Sequence, residues 1–232
     1  MFSVFSMLTA IIVAAGSSRR MGFDKLLAPL AGQPVIAHAV TAFAQANSVS
    51  NIVVVTQADR VAEFEKLLRP QAKVSTVISG GEHRQDSVHA GIKSLSGETK
   101  YVAVHDAARP LITPEEIERV FDQARAHEAA ALAEPVSDTL KRVDANQAVS
   151  GSVDRSELYA MQTPQIFARD LLEEAYRAVF SKGLRITDEV SAVENLGRKV
   201  VLVSGADFNF KITYQRDLRL AELILQERTT RR

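Results

Sequence analysis

TAIIVAAGSSRRMGFDK, residues 9–25, decides the fold. Its first half is apolar without a polar break after Thr9, the pattern of a strand covered on both faces. The run ends at Gly16, and Arg19, Arg20 and Lys25 follow. A core strand that discharges into small residues and cations suits an anion nest. Backbone N–H groups in a turn entering a helix point at the ligand, and nearby side chains add full charges. A solvated turn with ordinary surface cations is the plainer alternative. The spacing matches neither GxGxxG nor GxxxxGK[ST], which weakens a generic NAD or ATPase reading.

Working outward, further β-rich runs fall at 51–56, 74–79, 101–107 and 199–204, with the first at 9–15. Helix-length segments lie between them at 34–46, 60–68, 86–95, 114–127, 168–180, 188–196 and 214–227. Pro34 and Pro114 suit helix first turns, and Thr113 can cap the second of these helices. This alternation predicts a mainly parallel α/β sheet flanked by helices. Its 232 residues suit one domain, 1–232. In such sheets ligands bind beyond the carboxyl ends of the strands.

Residues 137–158 break the rhythm. Two weak strand-like pieces, 139–143 and 148–153, flank a polar turn at Asp144–Gln147. The segment is too polar for core and reads as a protruding β-hairpin arm. An isolated hairpin is marginal in water, so this one is expected to pack against something, such as another subunit.

Lys plus Arg and Asp plus Glu each number 28, so the formal net charge is zero. That argues against a general nucleic-acid or membrane surface, and any anion site must be local. With no cysteine, disulfides, zinc-thiolate sites and thiol nucleophiles are excluded, and a cytoplasmic setting fits. The apolar N-terminus lacks a basic n-region and reads as a first strand with a short leader. No run reaches the roughly 18 apolar residues of a spanning helix.

The other strand ends carry their own candidates. GGEHRQDSV follows 74–79; Gly80 and Gly81 permit close approach, and Asp86 or Ser87 can cap the next helix. A plain capped turn explains this as well as a ligand loop does. HDAARP follows 101–105. There Asp106 can hold a hydrated cation or a sugar hydroxyl and Arg109 can grip phosphate, or the two can simply pair. His105 reads as a packed, hydrogen-bonded histidine, and His83, His89 and His127 lack metal-ligand spacing. Thr163 precedes Pro164 in an extended segment. Thr187 with Asp188 and Glu189 marks a helix start. Lys211 lies in a short β-like run, where a lone lysine is usually an edge residue.

Taken in order, AAGSSRRMG…DK, GGEHRQDSV, VHDAARP, SDTLKR, VDR, QTPQIF, ITDEVSAVE and FNFKIT resemble one family. It is the 2-C-methyl-D-erythritol 4-phosphate cytidylyltransferases of the non-mevalonate isoprenoid pathway. The resemblance implies a Rossmann-like domain whose arm clasps the partner of a homodimer. It implies CMP transfer from CTP to the polyol phosphate, with pyrophosphate released and Mg²⁺ as cofactor. It assigns Arg20 and Lys25 to the triphosphate, and Ala14, Ala15 and Gly16 to cytosine and phosphates. Gly81, Glu82 and Ser87 fall at nucleoside contacts. Asp106 and Arg109 would face the sugar phosphate, with Asp106 a metal contact through water. Thr139, Arg155 and Lys211 would position the polyol, Arg155 coming from the other subunit, and Thr163 is a further substrate contact. Asp24 and Leu26 flank Lys25 where the family usually has proline and glutamine, Glu82 stands for a common aspartate, and Phe210 for isoleucine. A related cytidylyltransferase for ribitol 5-phosphate, and a non-catalytic nucleotide-sensing protein, are the competing readings.

The chemistry suits these residue types. A phosphate monoester is already ionised near neutral pH, its second pKa being about 6, so the attacking group needs no general base. What it needs is cations, because two polyanions must meet.

Overall fold

The computed structural model describes residues 8–16, 22–205 and 208–230. In chain order the elements are β1 (Leu8–Val13), β2 (Pro29–Leu30), β3 (Gln33–Pro34), α1 (Val35–Gln45), β4 (Val49–Thr56), α2 (Val61–Leu68), β5 (Val74–Ser79) and α3 (Arg84–Lys93). They continue with β6 (Tyr101–Asp106), α4 (Pro114–His127), β7 (Ala129–Pro135), β8 (Leu140–Val143), β9 (Val149–Val153) and β10 (Tyr159–Ala168). The chain closes with α5 (Arg169–Ser181), α6 (Glu189–Glu194), β11 (Val201–Ser204) and α7 (Gln215–Thr230). A short 3₁₀ turn, Ala58–Arg60, leads into α2.

The main sheet has seven strands in the order β11-β7-β10-β6-β1-β4-β5. β1 lies between β4 and β6 and is parallel to both. β10 runs antiparallel to β6 and β7, which makes the sheet mainly parallel, as expected. The chain winds outward from β1 through β4 to β5, then returns to place β6 on the other side of β1. That reversal opens a crevice at the carboxyl ends of β1 and β6.

Side-chain alternation along β1 builds two cores. Leu8, Ala10 and Ile12 face a layer with Phe43 of α1, Phe64 of α2, Phe121 of α4 and Ile224 of α7. Ile11 faces the opposite layer, with Val88 and Ile92 of α3, Leu172 and Tyr176 of α5, and Val193 of α6. Each fully buried aliphatic side chain of this kind contributes roughly 1.5–3 kcal/mol of transfer free energy. Both faces are therefore dry, and polar function is confined to the rims.

The helix ends follow local chemistry. Thr113 Oγ1 accepts from Glu116 N–H at 3.2 Å, with Pro114 in the first turn of α4. Asp188 caps α6 through Ser191 N–H at 3.1 Å. Two expectations need correction. α3 begins at Arg84, so Asp86 sits inside it and its carboxylate accepts from His83 N–H at 3.0 Å. Pro34 ends β3 and precedes α1 rather than opening it. Two strands of the main sheet were not anticipated, β7 and β10, which together fill it between β6 and β11, nor was the small β2–β3 pair.

The arm is a hairpin of β8 and β9, paired antiparallel apart from the main sheet. Asp144 Oδ1 accepts from Asn146 and Ala148 N–H and closes its turn.

Candidate active site

β1 and β6 end side by side. Ala107 N–H reaches back to Val13 O at 3.0 Å, Ala14 N–H to Val55 O at 2.7 Å, and Gly80 N–H to Thr56 O at 2.7 Å. These bonds bring the loops after β1, β5 and β6 around one cavity of about 710 Å³. Ala14, Ala15, Gly16, Gly81, Glu82, Ser87, Lys25, Asp106 and Lys211 all line it. Arg19 and Arg20 lie outside the described residues.

The glycine turn is packed against its own helix. A Cβ at Gly80 would stand 2.4 Å from Ser87 Oγ, and one at Gly81 2.5 Å from Asp86 Cβ. Ser87 Oγ accepts from Gly81 N–H and donates to His83 O, each at 3.3 Å. So Ser87 shapes the turn, while Glu82 extends into solvent with its side chain 87% exposed.

Lys25 donates from Nζ to Ile212 O at 2.9 Å. The unusual Asp24 beside it accepts from Leu26 N–H at 2.8 Å and pairs with Arg60. The replacement for proline thus fixes the turn that carries Lys25 by hydrogen bonds. Lys211 comes from an extended strap, 208–213. The strap is stitched down by Ile212 N–H to Ala108 O at 2.8 Å, and by Asn209 Nδ2 to Thr163 O at 2.8 Å.

Asp106 is the hub. Its Oδ2 accepts from Lys211 Nζ at 2.7 Å and its Oδ1 from Arg84 Nε at 3.2 Å. Burial by itself would raise its pKa; Arg84, Lys211 and Arg109 outweigh that and hold the carboxyl well below the usual range. Arg84 spends its other two nitrogens on Glu189, at 2.7 and 2.9 Å. Glu189 is fully buried, and Tyr176 Oη donates to it at 2.9 Å. Burial would weaken the Arg84 charge, but Glu189 and Asp106 more than restore it.

Behind Asp106 lies a directed chain. Its N–H donates to Thr163 Oγ1 at 3.1 Å, and Thr163 Oγ1 lies 3.1 Å from His105 Nδ1. His105 Nε2 lies 3.1 Å from Arg109 O. A carbonyl can only accept, so Nε2 carries the proton, Nδ1 accepts, and the Thr163 hydroxyl donates to it. Burial keeps this imidazole neutral by pushing its pKa down to about 4.

Arg84, Asp106 and Lys211 also border a second cavity of about 390 Å³, lined on its far side by Arg109, Thr163 and the start of α6. Arg109 donates to Asn209 O at 2.7 Å and to Met161 O at 3.4 Å, so much of its guanidinium supports the wall. Thr139 and Arg155 are exposed on the arm and line neither cavity.

Sequence reasoning missed Arg84 and Glu189 as site residues. The letters stood in GGEHRQDSV and ITDEVSAVE, but no local spacing links partners 105 residues apart.

The family model described as 2-C-methyl-D-erythritol 4-phosphate cytidylyltransferase matches residues 8–227. The chain belongs to that family. A cytidylyltransferase of this name from Symbiobacterium thermophilum is 41% identical over 221 residues, 94% of this chain and 93% of the relative. One from Halalkalibacterium halodurans is 39% identical over 227 residues, covering 96% and 99%. The crystal structure of the 4-diphosphocytidyl-2C-methyl-D-erythritol synthase from Anaerococcus prevotii superposes with a TM-score of 0.84 at 27% identity, over 95% of this chain and 98% of that one. The likeness therefore extends over nearly the whole chain, not just the glycine-rich turn.

Proposed function

We propose that this protein transfers CMP from CTP to 2-C-methyl-D-erythritol 4-phosphate and releases pyrophosphate. One observation carries the reading beyond family membership: Lys25, Arg84 and Lys211 converge with Asp106 at the carboxyl rim of β1 and β6. That arrangement serves phosphates, and no nucleophile-base pair is needed beside it. The larger cavity takes the nucleotide, along the backbone of Ala14–Gly16 and Gly81. The acceptor phosphate sits at the junction of the two cavities, with its polyol toward Arg109 and Thr163.

An acceptor phosphate oxygen forms the new bond to the α-phosphorus as the bond to the bridging oxygen of pyrophosphate breaks. Lys25, with Arg20 as the family resemblance assigns it, stabilises the charge gathering on the α-phosphate and leaving group. Lys211 neutralises the incoming phosphate. Asp106 keeps Lys211 oriented before substrate arrives, and can accept from a polyol hydroxyl.

A divalent cation fits as an ion carried by the triphosphate. Mg²⁺ takes one or two carboxylates plus substrate phosphates, and Asp106, though it already accepts from Arg84 and Lys211, keeps lone-pair capacity for a metal-bound water. Such an ion would supply further neutralisation of phosphate charge. Among the described residues no cluster of three metal-ligating side chains exists.

The arm leaves Val143 and Val149 57% and 67% exposed, a face that suits coverage by a second copy. Through it Arg155 would reach the partner's polyol site in a homodimer. None of the described helices is long and apolar enough to cross a membrane, and a cytoplasmic place of work accords with the cysteine-free sequence.

Pyrophosphate release measured with each of the four nucleoside triphosphates, against methylerythritol phosphate and ribitol 5-phosphate in parallel, tests the reading. Release is expected with CTP and methylerythritol phosphate. No release above background, or a preference for ribitol 5-phosphate, overturns it.

A further inference from the structure

We infer that Glu189 is a positioning residue for the acceptor phosphate, acting through Arg84 on the Asp106–Lys211 pair. The inference rests on the placement of the acceptor at the junction of the two cavities.

Arg84 has three kinds of nitrogen and all are directed. Nη1 and Nη2 face the two oxygens of Glu189, which leaves Nε for Asp106 Oδ1. Asp106 Oδ2 is thereby left to Lys211. A guanidinium favours a forked, two-point grip on a carboxylate. Without Glu189, Arg84 would turn that fork on Asp106, take both oxygens, and displace Lys211 from its post. Glu189 therefore decides which cation Asp106 holds by Oδ2.

Glu189 is itself over-determined. It is fully buried, Tyr176 Oη donates to it, and Gln165 Oε1 accepts from the N–H groups of Glu189 and Val190, each at 3.1 Å. Gln165 in turn donates from Nε2 to Asp188 at 2.9 Å. A helix cap needs none of this; Asp188 already caps α6. Burying a carboxylate is costly unless it is paired and hydrogen-bonded, so its retention calls for a partner that must be held still. That partner is Arg84, which borders both cavities. The pair joins α3, on the nucleotide side, to α6, on the acceptor side.

The test compares Glu189→Gln with wild type in steady-state pyrophosphate release, varying CTP and methylerythritol phosphate separately. Glu189→Gln keeps the shape and removes the fork's charge. The KM for the acceptor is expected to rise on the order of tenfold while the KM for CTP moves less than about twofold. Tyr176→Phe removes the other hydrogen bond to Glu189 without touching Arg84, and is expected to lower thermal stability while leaving the acceptor KM near wild type. Should Glu189→Gln not fold, Glu189→Asp serves, because a carboxylate one methylene shorter cannot meet both Nη groups of Arg84, and it should show the same acceptor-selective rise; Arg84→Lys, which leaves no fork to turn on Asp106, should cancel that rise in a double variant. An unchanged acceptor KM, equal rises for both substrates, a rise that persists in the double variant, or Tyr176→Phe matching Glu189→Gln each overturn the inference. Absence of turnover in wild type instead overturns the proposed activity, so the two failures are distinct.

Discussion

Protonating His105 should cost the fold about 3 kcal/mol, and the loss should appear in a defined pH window. The imidazole is fully buried against Phe43, between the Thr163 hydroxyl and the Arg109 carbonyl. Burial is the main cause of its lowered pKa, about 4 against an ordinary 6.5; the Arg109 carbonyl and Asp106 oppose the shift. At about 1.36 kcal/mol per pH unit, that gap corresponds to about 3 kcal/mol. The sign follows from proton counting. Between pH 6.5 and 4 the unfolded chain binds a proton that the folded chain refuses, so stability falls as pH falls through the window and is level above it. His105→Asn cannot titrate. Urea unfolding of both proteins at intervals from pH 7.5 to 4.5 isolates the effect, because every other group is common to both proteins and its contribution cancels. His89, its pKa lowered chiefly by burial and by Lys93, is one such shared group. Asp106, held well below the usual carboxyl range, stays ionised throughout. Wild type should lose most of the 3 kcal/mol across the window and the variant none of that share. Parallel loss in the two proteins would refute the assignment of His105 as a neutral, doubly hydrogen-bonded group.

Lys25→Ala removes the Nζ hydrogen bond to Ile212 O, worth about 1 kcal/mol. It should shift Tm by only about 2–4 °C, yet lower kcat roughly a hundredfold, read by calorimetry and pyrophosphate release. A Cβ at Gly91 would meet Ile11 Cγ2 at 2.7 Å, so Gly91→Ala should overpack the β1–α3 contact and cost about 1–3 kcal/mol in urea unfolding. Wild type is expected to sediment as a dimer, and deletion of residues 140–153 to yield a monomer whose circular dichroism keeps the sheet.

The parallel half of the sheet was legible because β1, β4 and β6 are buried and spell near-continuous apolar runs, while β5 at the sheet's edge is only partly buried and shows through Val74, Val77 and Ile78. β7 was not. AAALAEP is rich in alanine, a poor strand former by propensity, and becomes a strand because β10 and β11 pair on its two sides. β10 was half seen: Thr163 and Pro164 marked extended chain, but not a ten-residue strand running against its neighbours. In the site, residues announced by small or charged runs after a strand were recoverable, among them Ala14–Gly16, Lys25 and Asp106. Arg84 and Glu189 were opaque because their meaning is a pairing between distant helices. On α3 an arginine reads as surface, and at the start of α6 a glutamate reads as dipole complement. His105 was legible as a packed histidine because no second ligand stood at metal spacing.

In the proposed reaction fixed cations, with no proton-abstracting side chain, let two phosphates react at the carboxyl rim of β1 and β6. The pH profile of kcat/KM for the acceptor phosphate tests it most directly. It should rise with unit slope to a single inflection near the second ionisation of the phosphate monoester, about pH 6, and stay level to about pH 8.5. A second ionisation on the rising limb, abolished by replacing one side chain of the site, would contradict it.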